Sequence, residues 1–152
     1  MIELRAIDRH NFSSIINLNV AESQRTFVAS NAYSLAEAKA KPECIPLAAY
    51  ADGAPVGFVM YCIDDDDKEY WIYRLMIDEK HQGKGYGRLI MNNVLSEIKA
   101  DKNHDKVYIS FEPENETAKR LYESLGFRPD GRVIDGEVVY VMNYGQQEVS
   151  SR

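Results

Sequence analysis

The sequence predicts one α/β domain of the α+β kind, with a mixed, mostly antiparallel sheet and helices on both faces. Three observations predict it. The chain has 152 residues, enough for one ordinary domain and too few for two. Strand-like and helix-like segments follow one another in the order β-α-α-β-β-β-α-β-α-β-β. Two Asp-Gly pairs, Asp52-Gly53 and Asp135-Gly136, separate apolar runs as hairpin turns do.

Each element has a local reason. Ile2-Glu3-Leu4-Arg5-Ala6-Ile7 alternates apolar and charged residues, as a half-buried strand does. Between residues 9 and 40, Ile15, Ile16 and Leu18, then Phe27 and Val28, recur at helical spacing. Ser34 is placed to cap a helix over Leu35–Lys41 that stops before Pro42. Ile45–Ala51 and Val56–Ile63 form the first hairpin. Tyr70–Ile77, rich in aromatic and β-branched residues, reads as a central strand. After a glycine-rich turn, Tyr86, Leu89, Ile90, Val94 and Ile98 share a helical face. Val107–Phe111 is a short strand. Asn115 can cap a helix striped by Ala118, Leu121, Tyr122 and Leu125, with Gly126 suited to its end. Val133–Ile134 and Val138–Asn143 make the last hairpin, and the polar residues from 146 to 152 read as a tail.

Composition excludes several classes. The chain is 45% hydrophobic and 28% charged, with a net charge of −6. That charge argues against nucleic acid, whose binders neutralise phosphates with Lys and Arg. It suits a cationic small molecule. Cys44 and Cys62 cannot build a disulfide framework and read as reduced thiols of a cytoplasmic protein. Charged Glu3, Arg5, Asp8 and Arg9 break up any signal-peptide core. No apolar run reaches the ~20 residues a bilayer span needs, so no membrane partner is expected. His10, His81 and His104 have no metal-ligand spacing to the cysteines, so no metal is expected either.

The sharpest signal is Gln82-Gly83-Lys84-Gly85-Tyr86-Gly87-Arg88, between a strand and an amphipathic helix. Glycines let a backbone approach a ligand closely, and the first amides of a helix lack internal partners. With the helix dipole they make an anion site suited to a pyrophosphate. Lys84 and Arg88 add positive charge there. A dinucleotide fingerprint would need glycine in place of Arg88, and a P-loop would need Ser or Thr in place of Gly85. The competing reading is a plain strand-to-helix turn.

Gln82–Gly87 resembles the R/Q-x-x-G-x-G/A acetyl-CoA loop of the GNAT N-acetyltransferases. Leu75-Met76-Ile77-Asp78 before it fits that family. So does Asn115-Glu116-Thr117-Ala118-Lys119-Arg120-Leu121-Tyr122 with Gly126-Phe127, which is similar to the family's N-x-x-A-x-x-x-Y…GF segment. Gln24-Arg25-Thr26-Phe27-Val28 followed by Ser34-Leu35 resembles the N-terminal helices of bacterial spermine/spermidine acetyltransferases.

The resemblance implies an acetyl-CoA-dependent N-acetyltransferase domain over residues 1–145. Met76, Ile77 and Asp78 would pair with the pantetheine arm, as an added strand does. Backbone amides from Gln82 through Arg88 (Gly83, Lys84, Gly85, Tyr86 and Gly87 between them) would take the pyrophosphate, and Asn115 would bind near the thioester. Tyr122 falls where the family often places a general acid, although its place on the Leu121/Leu125 stripe also suits a core aromatic. The family's usual carboxylate falls on Tyr73, beside Arg74, which leaves the general base unassigned; Glu69, Glu112 or a water chain are the substitutes. The acidic run Asp64–Asp67 with Glu69 suits a cation. Gln24, Phe27, Asp65, Glu69, Trp71 and Tyr73 are the candidate acceptor contacts, with Tyr33 as a further aromatic. The expected acceptor is a primary amine of a polyamine, attacked directly in a ternary complex. Competing readings are a peptide or antibiotic amine, and a non-catalytic acyl-CoA sensor. A homodimer is the family expectation.

Overall fold

The computed structural model describes residues 1–145; the expected tail, 146–152, lies outside the described residues. Its seven strands are β1 (Ile2–Ala6), β2 (Cys44–Ala51), β3 (Ala54–Ile63), β4 (Tyr70–Ile77), β5 (Lys106–Phe111), β6 (Arg128–Ile134) and β7 (Glu137–Asn143). Its helices are α1 (Phe12–Ile16), α2 (Asn31–Ala40), α3 (Tyr86–Ala100) and α4 (Glu116–Leu125), with short 3-10 turns at Glu22–Gln24 and Glu79–His81. The expected order of elements is the observed one. One sheet runs β1-β2-β3-β4-β5-β7-β6. Every neighbouring pair is antiparallel except β4 and β5.

Strand alternation sorts side chains onto two faces. On β3, Val59 and Tyr61 join one apolar cluster, with Ile90, Met91, Val94, Leu95 and Ile98 of α3 and Tyr122 of α4. Phe58, Met60 and Cys62 turn to the other, with Ile15 of α1 and Leu35 and Ala38 of α2. Helices therefore cover both faces of the sheet, as expected. No helix among the described residues is long and apolar enough to cross a membrane.

Both Asp-Gly pairs form the expected turns. Asp52 and Gly53 have φ of 52° and 80°, and Asp135 and Gly136 have 52° and 82°. Positive φ at two successive positions is what a two-residue hairpin loop with matching twist requires.

Three local expectations need correction. Ser30, not Ser34, caps α2: its side chain accepts from the Tyr33 amide at 3.1 Å. Ser34 is buried inside the helix, where its hydroxyl donates back to the Ser30 carbonyl at 3.1 Å. The helix therefore starts four residues early, though it still ends before Pro42. On α3 the buried face is Ile90, Met91, Val94, Leu95 and Ile98, while Leu89 is 39% exposed. The strand before Asp135 is longer than its two apolar residues suggest, because a bulge between Pro129 and Val133 lets polar residues continue it.

Candidate active site

The site begins where the sheet opens. β4 pairs with β5 only at Tyr70, Ile72 and the residue between them. Beyond Ile72 the two strands part, while β4 stays paired with β3 as far as Ile77. The Asp78 amide donates to the Val56 carbonyl at 2.8 Å. Asp78 and Met76 thus aim their backbone groups at β3, not into the gap as the expected pantetheine pairing requires, and by alternation Leu75 and Ile77 aim theirs into the gap. A strand edge without a neighbour can accept an extended ligand.

A cleft of about 1310 Å³ occupies this gap. Its walls include Leu75, Met76 and Ile77 of β4, the glycine turn, and Asn115, Leu121 and Tyr122. The acidic loop precedes β4 and the glycine turn follows it. The strand between holds these two charged regions about 23 Å apart, at ~3.3 Å per residue.

Gly83 and Gly85 have φ of 79° and 80°. A Cβ at either would meet nothing within 4 Å, so backbone conformation, not packing, calls for glycine there. Gly85 caps α3, and the first helical bond runs from the Leu89 amide to the Gly85 carbonyl at 3.3 Å. The amides of Tyr86, Gly87 and Arg88 precede it and have no acceptor within the helix. No acidic side chain occupies that first turn, which leaves the positive end of the helix dipole for an anion. Arg88 donates to the Ser124 hydroxyl and so leans toward α4. At Gly87, a Cβ would come within 3.3 Å of Leu121, so this third glycine lets α3 and α4 approach.

Gln82 is tied down at the start of the turn. Its Nε2 donates to the Ile77 carbonyl at 3.0 Å and to Gln24 Oε1 at 2.9 Å. Asn115 caps α4, its Oδ1 accepting from the Ala118 amide at 3.2 Å, and its Nδ2 remains a donor on the cleft wall.

Tyr122 is 6% exposed. Its ring packs 5.5 Å from Phe111 and 6.0 Å from Phe127, centroid to centroid. Burial, and then the negative charge of Glu137, hold its phenol protonated well above the ordinary tyrosine range.

The other region of the cleft is rich in carboxylates. Asp64, Asp66 and Asp67 line it with Trp71, Tyr73, Phe27 and Gln24. The Tyr73 hydroxyl donates to Asp64 Oδ2, and Trp71 Nε1 donates to Asp67 Oδ2 at 2.9 Å. Burial, then this bond to Asp64, raises the Tyr73 phenol above its ordinary range. Trp71 stacks on Tyr108 at 5.0 Å. The Arg132 guanidinium lies 5.7 Å over Trp71 and 5.1 Å over Tyr108, so the aromatic face expected to meet an amine already carries a cation.

Most of the candidate residues meet at the cleft, and six do not. Asp65 is exposed and pairs with Lys68 at 2.7 Å. Glu69 turns to His104 at 3.6 Å and Lys106 at 3.7 Å. Lys84 is exposed outside the cleft walls. Asp78 is buried, its carboxylate accepting from the Asn19 amide at 3.0 Å. Neither Tyr33, 61% exposed, nor Glu112 is among the lining residues.

The structure also brings in residues that the sequence did not single out. Glu37 of α2 meets Arg74 at 2.9 Å and Lys41 at 3.0 Å. Glu137 accepts from the Ser110 hydroxyl at 2.7 Å. Glu37, Ser110, Arg132 and Glu137 all line the cleft. In sequence Glu137 is only a charge after a turn, and no local pattern marks it.

Comparison with known proteins gives a consistent picture. The acetyltransferase (GNAT) family model matches residues 7–127. A spermine/spermidine N(1)-acetyltransferase of Bacillus subtilis is 31% identical over 147 residues, covering 92% of this chain and 97% of its own. Among solved structures, an aminoglycoside acetyltransferase, AAC(6')-Ib, with coenzyme A superposes with a TM-score of 0.80 at 18% identity, over 100% of both chains. The spermidine N-acetyltransferase of Vibrio cholerae with coenzyme A and spermine gives 0.74 at 21% identity, covering 95% of this chain and 96% of the other.

Proposed function

The chain belongs to the GNAT acetyltransferase family and is an acetyl-CoA-dependent N-acetyltransferase, and we propose that its acceptor is a primary amine of a polyamine. One observation carries this reading: a single cleft joins an anion-ready helix terminus to a wall bearing Asp64, Asp66 and Asp67. A cosubstrate with phosphates suits the first, and a polycation suits the second. The long relative named for spermine and spermidine supports the same choice.

The parts divide as follows. The Tyr86, Gly87 and Arg88 amides bind the pyrophosphate, with Gln82, Gly83 and Gly85 shaping the turn. Leu75 and the Ile77 amide offer the pantetheine arm a strand edge, the Ile77 carbonyl being held by Gln82. Asn115 donates near the thioester. The amine nitrogen attacks the thioester carbonyl directly in a ternary complex, and Tyr122 gives its proton to the departing thiolate sulfur. A buried, protonated phenol is suited to that donation. The setting is cytoplasmic, in keeping with two free, buried cysteines. The expected homodimer has a surface in β6 at the sheet edge, where Val133 is 65% exposed; sedimentation as a monomer would remove it.

The test is a panel of amines assayed for CoA release: spermidine, spermine, lysine, an aminoglycoside and a basic peptide. The polyamines should give the highest kcat/KM. A preference for any other member overturns the acceptor assignment.

A further inference from the structure

The carboxylates of the cleft differ in what already occupies them. Glu37 is neutralised by two cations, Arg74 and Lys41. Asp64 accepts from the Tyr73 hydroxyl and the Asp66 amide. Asp67 accepts from Trp71 and the Glu69 amide. Asp66 and Asp135 are exposed on turns. Glu137 is different. Among the described residues its one polar partner is a neutral hydroxyl, that of Ser110, at Oε1. Oε2 is left to accept another proton donor.

Its position is specific as well. Glu137 opens β7, and β7 lies against β5, the strand from which β4 parts. Ser110 stands on β5, so one hydrogen bond fixes the carboxylate over the mouth of the gap. Tyr122 lines the same cleft, and the charge of Glu137 acts on its phenol. A buried acid and a half-buried base therefore face one space.

We propose that Glu137 is the general base of the transfer, its Oε2 taking the proton that the attacking nitrogen sheds. This rests on the reading that the substrate is an amine acetylated by direct attack. The ammonium first loses one proton to solvent. The neutral amine then forms the C–N bond to the thioester carbonyl, and its nitrogen becomes strongly acidic. Glu137 accepts that second proton. The C–S bond breaks, the sulfur leaves with the electron pair, and Tyr122 protonates it. Glu137 then returns a proton through water to the Tyr122 phenolate. The products are the amide, free CoA thiol and the one proton released to solvent.

Glu137→Gln tests this, because glutamine keeps the acceptor for Ser110 but cannot take a proton. At saturating amine, kcat should fall by about 10²–10⁴-fold, with the acetyl-CoA Kd by calorimetry unchanged. Glu137→Asp, which retracts the carboxylate by one methylene, should lose less than Glu137→Gln. A raised KM with unchanged kcat would make Glu137 a mere anchor for the ammonium and overturn the proposal. The wild type is assayed first on the amine panel. If it prefers an amine other than a polyamine, the acceptor reading fails, and the Glu137→Gln ratio is measured on that amine, where it decides the role of Glu137 independently.

Discussion

Tyr122 and Gly85 are the residues whose requirements are narrowest. Tyr122→Phe removes one oxygen and leaves the packing against Phe111 and Phe127. Turnover should fall by about 10²–10⁴-fold, while calorimetry finds acetyl-CoA bound as before. Unchanged turnover would show that the thiolate takes its proton elsewhere. The pH dependence has a definite sign. A phenol raised by burial stays protonated, and so competent as an acid, past its ordinary pKa of ~10. No falling limb of the kcat profile below pH 10 should therefore disappear in Tyr122→Phe. At Gly85, φ is 80° and the space around a Cβ is empty. Gly85→Val should therefore cost only backbone strain, about 1–2 kcal/mol. The new side chain would stand in the proposed phosphate site, so acetyl-CoA affinity should drop at least tenfold in a protein that still folds. Retained affinity would place the anion site somewhere else.

At the scale of elements, the decisive feature is how β4 is held on one side and released on the other. Gly57 of β3 holds it: a Cβ there would stand 2.6 Å from the Met76 carbonyl and 3.2 Å from Ile77. Gly57→Ala must push β4 toward the gap. Overpacking of this kind costs about 1–3 kcal/mol, so both the thermal midpoint and acetyl-CoA affinity should fall. A midpoint equal to the wild type would mean that β4 yields without cost. The elements themselves were legible wherever the signal was local. Asp52-Gly53 and Asp135-Gly136 announced their hairpins, and Asn115 and Gly126 announced both ends of α4. Ser34 misled because capping needs a turn before the helix, and a buried serine inside a helix looks the same in sequence. The glycine turn was legible because its pattern lies in seven consecutive residues. Glu137 and Ser110 were not, because only the order β4-β5-β7 makes them neighbours, and that order is nowhere written locally.

Across the whole molecule, a net charge of −6 is unevenly used. Lys84 and Arg88 stand near the turn, and Asp64 to Asp67 stand before the other end of β4. A field of exposed carboxylates acts over a Debye length of ~10 Å at 0.1 M salt and ~3 Å at 1 M. The KM for spermine should thus rise several-fold between these salt concentrations, and that for a monoamine should rise less. Equal slopes would mean that the acidic loop does not steer the acceptor. The same two regions are also joined mechanically. Gln82, which opens the glycine turn, donates to Gln24, which lines the same cleft beside the proposed acceptor wall. Two ligands that share one such strut do not bind as strangers. Whatever factor the acetyl donor contributes to amine affinity, the amine must return to the donor in equal measure, because both close the same thermodynamic cycle. The ratio of amine affinities with and without coenzyme A should therefore equal the ratio of coenzyme A affinities with and without amine.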